Sequence, residues 1–259
     1  MKQFYYLIHI QYLGFRFHGW QKQPKHKTVH LMIDKTVKFV LGDQPFKTLG
    51  TSRTDARVSA EHSAFELFLD EPIDQAWFLA AFNSNLPSDI RALSIEEVDE
   101  KFNIINTAKT KEYLYLFTFG EKPHPFTASI MTYFKGKLAL EKMQEGAKIF
   151  EGKHNFKRYC TKPAEHTNLI REIIHCSIEQ NSIYTANFFP NESYILKIQS
   201  KGFLRYQVRL IMAELVNLGR GKTTIDKIKD HLKGIEPVEL METIAPGSGL
   251  ILNEIKFDK

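Results

Sequence analysis

The sequence predicts an α+β protein made of two ferredoxin-like α/β halves, each with a mainly antiparallel sheet, joined around a central basic cleft. Three observations lead there. Segments of strand and helix periodicity run in the order βαββαβ over residues 1–107. Helices alternate with strands again over 108–259, and basic residues gather in two stretches far apart in the chain. The halves 1–107 and 108–259 are therefore expected to be domains, although no residue-level repeat relates them.

In order, Phe4–Tyr12 reads as a strand, with a turn signal at Gly14. Val29, Met32, Ile33, Thr36, Val37 and Val40 recur at helical spacing, which predicts a helix over 29–41. Strands follow at Phe46–Thr51 and His62–Leu69. Asp70 and Pro72 then introduce a helix through Ile73, Trp77, Ala80 and Ala81. Asn85-Leu86-Pro87 breaks that helix before a strand at Ala92–Asp99. The second half opens with a strand, Lys111–Phe119, whose Tyr113, Tyr115, Phe117 and Phe119 share a face. A helix near Leu138–Phe150 comes next, then strands at Ile170–Glu179, Ile183–Phe188 and Tyr194–Gln199. Leu204, Val208, Ile211, Leu215 and Leu218 mark the buried stripe of a helix that Gly219 ends. A short helix near Thr224–Leu232 and a closing strand at Leu250–Phe257 complete the chain.

Composition narrows the function. With 259 residues, 43% hydrophobic and 25% charged, the chain can bury a sizeable core and is neither disordered nor low-complexity. No apolar run is long enough to span a bilayer, and the first residues do not read as a signal peptide. Cys160 and Cys176 lack metal or redox spacing and read as reduced, buried thiols. A soluble, cytoplasmic protein is expected. The net charge of +5 is unevenly spread: eight basic residues crowd 201–233 against three acids, while 61–102 holds ten acids and two bases. That pattern suits a polyanion-binding face, and equally an ordinary solvated surface. Four of the nine arginines fall in two close pairs, Arg53/Arg57 and Arg205/Arg209, whose rigid forks suit carboxylate or phosphate.

The polar loop 51–60 carries one carboxylate, Asp55, between two arginines. Such neighbours favour its ionised form and suit a nucleophile, though a surface ion pair would look the same. In the aromatic strand, Tyr115, Phe117 and Phe119 read as core, whereas Tyr113 at its start could face a ligand. His124, His154 and His166 are scattered, so no metal is expected.

Seven landmarks now fall in order: Tyr12-Leu13-Gly14 with Gly19-Trp20-Gln21, Arg53-Thr54-Asp55, and Asn83-Ser84-Asn85-Leu86-Pro87-Ser88-Asp89-Ile90. Lys111-Glu112-Tyr113-Leu114-Tyr115, Gly152/His154/Phe156, Gly202-Phe203-Leu204 with Val208-Arg209, and Ala245-Pro246 with Gly249-Leu250 follow. Together they resemble the TruA-type tRNA pseudouridine synthase family over nearly the whole chain. The resemblance implies the pseudouridine synthase fold and isomerisation of uridine in the anticodon stem-loop of tRNA. It implies Asp55 as catalytic nucleophile, Arg209 as its partner and Tyr113 as the ring that stacks on the base. It implies no cofactor, since the reaction has no redox step, and a homodimer as the working state. Arg53, Arg57, Trp20, Gln21, Lys22 and Arg205 are the expected substrate-binding residues. Arg205 is taken to share a helix with Arg209 and lie nearer the RNA backbone, with a plain surface cation as the alternative. Lys22, Lys25 and Lys27 would grip phosphates.

The chain departs from the family pattern at Ser52 and Arg57, both glycine there, and at Ser59, where the family has histidine. Leu13 and His30 are lesser changes. Arg57 bears most directly on backbone shape and RNA approach. A catalytically inactive RNA-binding relative and a synthase acting on another RNA are the competing readings. A hydrolase built from Ser52, Asp55 and His62 lacks a nucleophile elbow.

Overall fold

In the first strand, β1 (Phe4–Tyr12), burial alternates from Ile8 to Tyr12, while Tyr6, Leu7 and Ile8 are buried in succession. In α1 (Val29–Leu41) the buried Val29, Ile33 and Val37 recur every four residues, and the Thr28 hydroxyl caps the start by accepting from Leu31 N at 3.3 Å. β2 (Phe46–Gly50), β3 (Ser59–Leu69), α2 (Gln75–Asn85) and β4 (Ile90–Val98) complete the first series. β1 pairs antiparallel with β3 and with β4, and β2 pairs antiparallel with β3. The order β4-β1-β3-β2 is the ferredoxin-like arrangement expected of βαββαβ.

The second series comprises β5 (Ala108–Gly120), β6 (Thr132–Lys135), α3 (Leu140–Ile149), β7 (Gly152–Asn155), β8 (Ile170–Gln180), β9 (Tyr194–Ser200), α4 (Gln207–Gly219), α5 (Ile225–Lys233) and β10 (Leu250–Phe257). β5, β9, β8 and β7 lie side by side, each antiparallel to the next, and β6 runs parallel to the end of β5. From Leu114 to Thr118 every residue of β5 is buried, so both faces of this strand are covered. Leu114 and Leu116 pack with Met131 and Ile195, while Tyr115 and Phe117 meet Phe134.

This computed structural model describes residues 3–234 and 240–257. It divides into two units: the described residues up to Lys109 with those from Leu252 onward, and the described part of Thr110–Ile251. The sequence reading instead keeps 252–259 with the second half. From Leu252 on, β10 lies beside β3, and Phe257 packs on a cluster of Leu7, Ala64 and Ile104. Among the described residues no helix is long and apolar enough to cross a membrane.

Three local expectations need correction. In α2 the cap is Asp74, whose carboxylate accepts from Trp77 N at 2.9 Å, so the helix starts at Gln75 and not near Asp70. Its buried stripe is Phe78 and Phe82, while Trp77 is 54% exposed; two phenylalanines outcompete the alanines for the core. Residues 183–188 form no strand. The Asn181 side chain accepts from Ile183 N and Tyr184 N and donates to Tyr184 O, taking up groups that a ladder would use. α4 begins at Gln207, with Tyr206 in the left-handed region at φ 62°, so Leu204 and Arg205 precede the helix.

Candidate active site

In the first unit the Asp55 loop leaves β2 and enters β3 under a set of backbone bonds. Thr51 N donates to Ala64 O, Trp20 N to Thr54 O and Arg57 N to Phe17 O, all at 3.0–3.1 Å. The buried Tyr12 hydroxyl and Thr54 Oγ1 are 2.8 Å apart. Thr51, Ser52, Thr54, Val58 and Ser59 are buried, Asp55 is half-buried, and Arg53, Ala56 and Arg57 are exposed. The loop thus holds a carboxylate at the edge of solvent on a rigid base.

Two glycines make that closeness possible. A Cβ on Gly14 would stand 2.0 Å from Val58 O, and one on Gly19 would stand 2.6 Å from Thr54 O. The 13–19 loop is pinned from its other side by a two-bond fork from Arg16 to the Asp89 carboxylate, and Leu13 N donates to Asp89 O at 3.0 Å. Asn83 ties α2 to β4 by exchanging two hydrogen bonds with the Ala92 backbone. The first three landmarks are therefore one scaffold around the Asp55 loop.

The departures from the family pattern are resolved locally. Arg57 sits at φ 66°, in the left-handed region that glycine would adopt without strain. Its guanidinium lies 5.4 Å from the Phe15 ring centre. Ser59 Oγ accepts from Gly14 N at 2.9 Å. Ser52 fits buried in the loop, its hydroxyl without a partner among the described residues.

The expected substrate-binding residues separate here. Trp20 is 2% exposed, so it cannot present its ring to a ligand; this corrects the sequence reading. The indole lies on Gly50, where a Cβ would come within 2.3 Å, and stacks on His30 at 5.4 Å. Burial lowers the His30 pKa, with the Asp34 charge opposing. Gln21 and Lys22 are exposed, and Lys22 Nζ pairs with Asp34. Lys25 and Lys27 are exposed on the same loop, which is closed by His18 N donating to Lys27 O at 2.9 Å.

In the second unit Tyr113 is half-buried on β5, its ring edge-on to Phe203 with centres 5.3 Å apart. Lys111, two residues earlier, has its pKa lowered by burial. Arg209, in the first turn of α4, donates from Nε to Ala245 O at 2.7 Å, and Ala245 N donates back to Arg209 O at 3.2 Å. The buried Tyr115 hydroxyl donates to Pro246 O at 2.7 Å; burial raises its pKa, and the Arg209 charge opposes that. A Cβ on Gly249 would fall 2.7 Å from Leu116 O, so the 245–250 landmark packs as a brace for Arg209. Arg205 is exposed and is not on α4 with Arg209: helical i,i+4 geometry fails because the left-handed Tyr206 intervenes. Both guanidiniums nevertheless lie near the Tyr206 ring, at 5.2 Å for Arg205 and 4.9 Å for Arg209. Tyr206 and the Ala245 backbone escaped the sequence reading; Ala245-Pro246 registered only as a landmark.

A cavity of about 720 Å³ opens elsewhere in this unit, lined by Lys153, His154, Asn155, Lys229, Leu232 and Lys233 among others. None of the expected site residues lines it. Among the described residues no group of three His, Cys, Asp or Glu could hold a metal ion.

Comparison with known proteins agrees with the landmarks. Residues 147–258 match a family model described as tRNA pseudouridine synthase. The chain is 33% identical over 250 residues to tRNA pseudouridine synthase A 2 of Clostridium perfringens, covering 96% of this chain and 97% of that one. It is 30% identical over 249 residues to tRNA pseudouridine synthase A of Clostridium botulinum, with 96% and 97% covered. It is 29% identical over 255 residues to the tRNA pseudouridine synthase A of Limosilactobacillus fermentum, covering 98% and 96%.

Proposed function

This chain belongs to the tRNA pseudouridine synthase family, and from that premise we propose that Asp55 is the nucleophile with which it isomerises uridine in the anticodon stem-loop of tRNA. The overall reaction turns uridine into pseudouridine: the bond from ribose to the base nitrogen breaks, and a bond to a ring carbon forms. Nothing is oxidised and no group is lost, so the chemistry asks for a positioned carboxylate rather than an electron carrier. In this reading Asp55 attacks the uridine, Arg209 pairs with that carboxylate and orients it, and Tyr113 supplies the ring against which the extruded base stacks.

One observation above others supports it: the Asp55 loop is clamped on its backbone by Trp20 N and Phe17 O while its carboxylate stays at the edge of solvent. A nucleophile must be held within a fraction of an ångström of its target, and loops alone rarely do this. Arg53 and Arg57, exposed on either side of Asp55, suit the phosphates that flank the target nucleotide. Gln21, Lys25 and Lys27, exposed in the first unit, and Arg205, exposed in the second, would each add a polar or cationic contact to RNA from its own unit. By the same reading the enzyme works in the cytoplasm as a homodimer, and sedimentation of the purified protein tests the oligomeric state.

The deciding experiment incubates the protein with unmodified tRNA transcripts and maps pseudouridine at single-nucleotide resolution, with Asp55→Ala in parallel. Product in the anticodon arm that disappears in the variant is the expected result. Tight tRNA binding without product would overturn it and leave the inactive RNA-binding relative; product only on another RNA would overturn the choice of substrate.

A further inference from the structure

Among the described residues of the second unit, Tyr206 and Lys162 are the non-glycine residues with a left-handed backbone, and Tyr206 is the bulkier of the two. It stands at φ 62°, ψ 6°, immediately before α4, and makes no side-chain cap for that helix. A bulky residue in the left-handed region carries strain of about 1–2 kcal/mol. Glycine or asparagine would stand there more easily. The turn is held on both sides: Leu204 N donates to the Gln207 side chain at 2.7 Å, Thr161 N donates to Arg205 O, and Leu210 N to Tyr206 O at 2.9 Å. Backbone conformations of this kind persist only where the surroundings enforce them, and they concentrate at sites that use the geometry.

The strain places an aromatic ring next to the guanidiniums that flank it in sequence. The Arg209 guanidinium carbon is 4.9 Å from the ring centre, and its Nε is already committed to Ala245 O. An aromatic ring this close to a guanidinium restricts how the planar cation can turn, beside whatever hydrogen bonds it makes. Any carboxylate that Arg209 serves must take its terminal amino groups, so their direction matters.

We propose that Tyr206 is a positioning residue for the uridine isomerisation, holding the plane of the Arg209 guanidinium through its ring. The proposal rests on the reading of Arg209 given above. It concerns the ring and not the hydroxyl, which separates it from a hydrogen-bonding or acid–base role.

The test compares Tyr206→Phe, Tyr206→Asn and Arg209→Ala in single-turnover pseudouridine formation on a tRNA transcript, with tRNA affinity and melting temperature measured for each. Asparagine accepts the left-handed backbone, so the fold is retained while the ring is lost. Tyr206→Asn should lower the single-turnover rate by about 10- to 100-fold, the scale of a misplaced catalytic group, with tRNA affinity within about twofold. Tyr206→Phe should stay within about threefold of the wild-type rate because the ring remains. A wild-type rate for Tyr206→Asn overturns the proposal, as does an equal loss in Tyr206→Phe. If Arg209→Ala turns over normally, the role of Arg209 falls and this inference with it; if only that variant is dead while Tyr206→Asn is normal, the inference falls alone.

Discussion

The two arginine-bearing segments are held by opposite devices. Around Asp55 the support is backbone against backbone, made possible by Gly14 and Gly19 at positions where a single added carbon would collide with Val58 O or Thr54 O. Around Arg209 the support is a carbonyl at Ala245 and an aromatic ring at Tyr206, with the left-handed turn borne by a tyrosine. The first unit also carries a strained residue, Arg57, but there the side chain points at an exposed Phe15 and not at a buried brace. Backbone contact fixes where a loop lies; ring contact fixes how a side chain turns within it. In the proposed function Asp55, on a loop, would rely on the first, and Arg209, a planar cation on a helix, on the second.

The contrast can be broken at several points. Asp55→Asn should abolish pseudouridine formation, by more than about 10³-fold in single turnover, while the melting temperature stays put. A fall in both would mean that the loop depends on the carboxylate for its shape. Next in size, Gly14→Ala should cost about 1–3 kcal/mol in urea unfolding, because backbone must move to admit the methyl group. Gly202→Ala, a landmark glycine of the second unit with no atom within 4 Å of the added carbon, should change stability by less than about 0.5 kcal/mol. Equal effects at the two would erase the distinction between backbone clamp and open turn.

Smaller again is Arg57→Gly. Relief of left-handed strain and the larger freedom of glycine in the unfolded chain oppose each other, so stability should rise by no more than about 1 kcal/mol. If Arg57 meets a phosphate, the slope of log affinity for tRNA against log salt should shrink by about one. The smallest expected effect is in pH. His62 contacts His9, their ring nitrogens 2.8 Å apart, and burial followed by the His9 charge lowers its pKa below 6.5. The unfolded chain then binds a proton, below about pH 6.5, that the folded chain refuses, so stability is lost as pH falls through that range. His62→Gln should flatten this acid limb in thermal melts collected from about pH 7 to pH 5. An unchanged limb would assign it to other groups, His30 first among them.

Some of this was plain in the chain before folding was considered. The helical spacing of Val29, Ile33 and Val37 announces α1, and βαββαβ predicts the order β4-β1-β3-β2 that the first unit adopts. Asp55 between two arginines in a polar loop is visible because charge and loop composition are local properties. Arg205 was misplaced for the same reason that Leu204 was: both continue the helical spacing, and nothing in spacing reveals a left-handed residue between them and Gln207. Likewise 183–188 alternate like a strand, and only the reach of Asn181 to the backbone of 183 and 184 shows where those groups go.

The sequence by itself determined the type and order of nearly all the elements, the loop that carries Asp55, and the family landmarks. These follow from periodicity, capping and residue type, which act over a few residues. Only the tertiary structure decided that Trp20 lies on Gly50 beneath the loop, that Phe78 and Phe82 and not Trp77 face the core, and that Arg209 turns on the Tyr206 ring and the Ala245 carbonyl. Those outcomes depend on which of several apolar or cationic side chains wins a place that distant segments create, and that competition has no local signature.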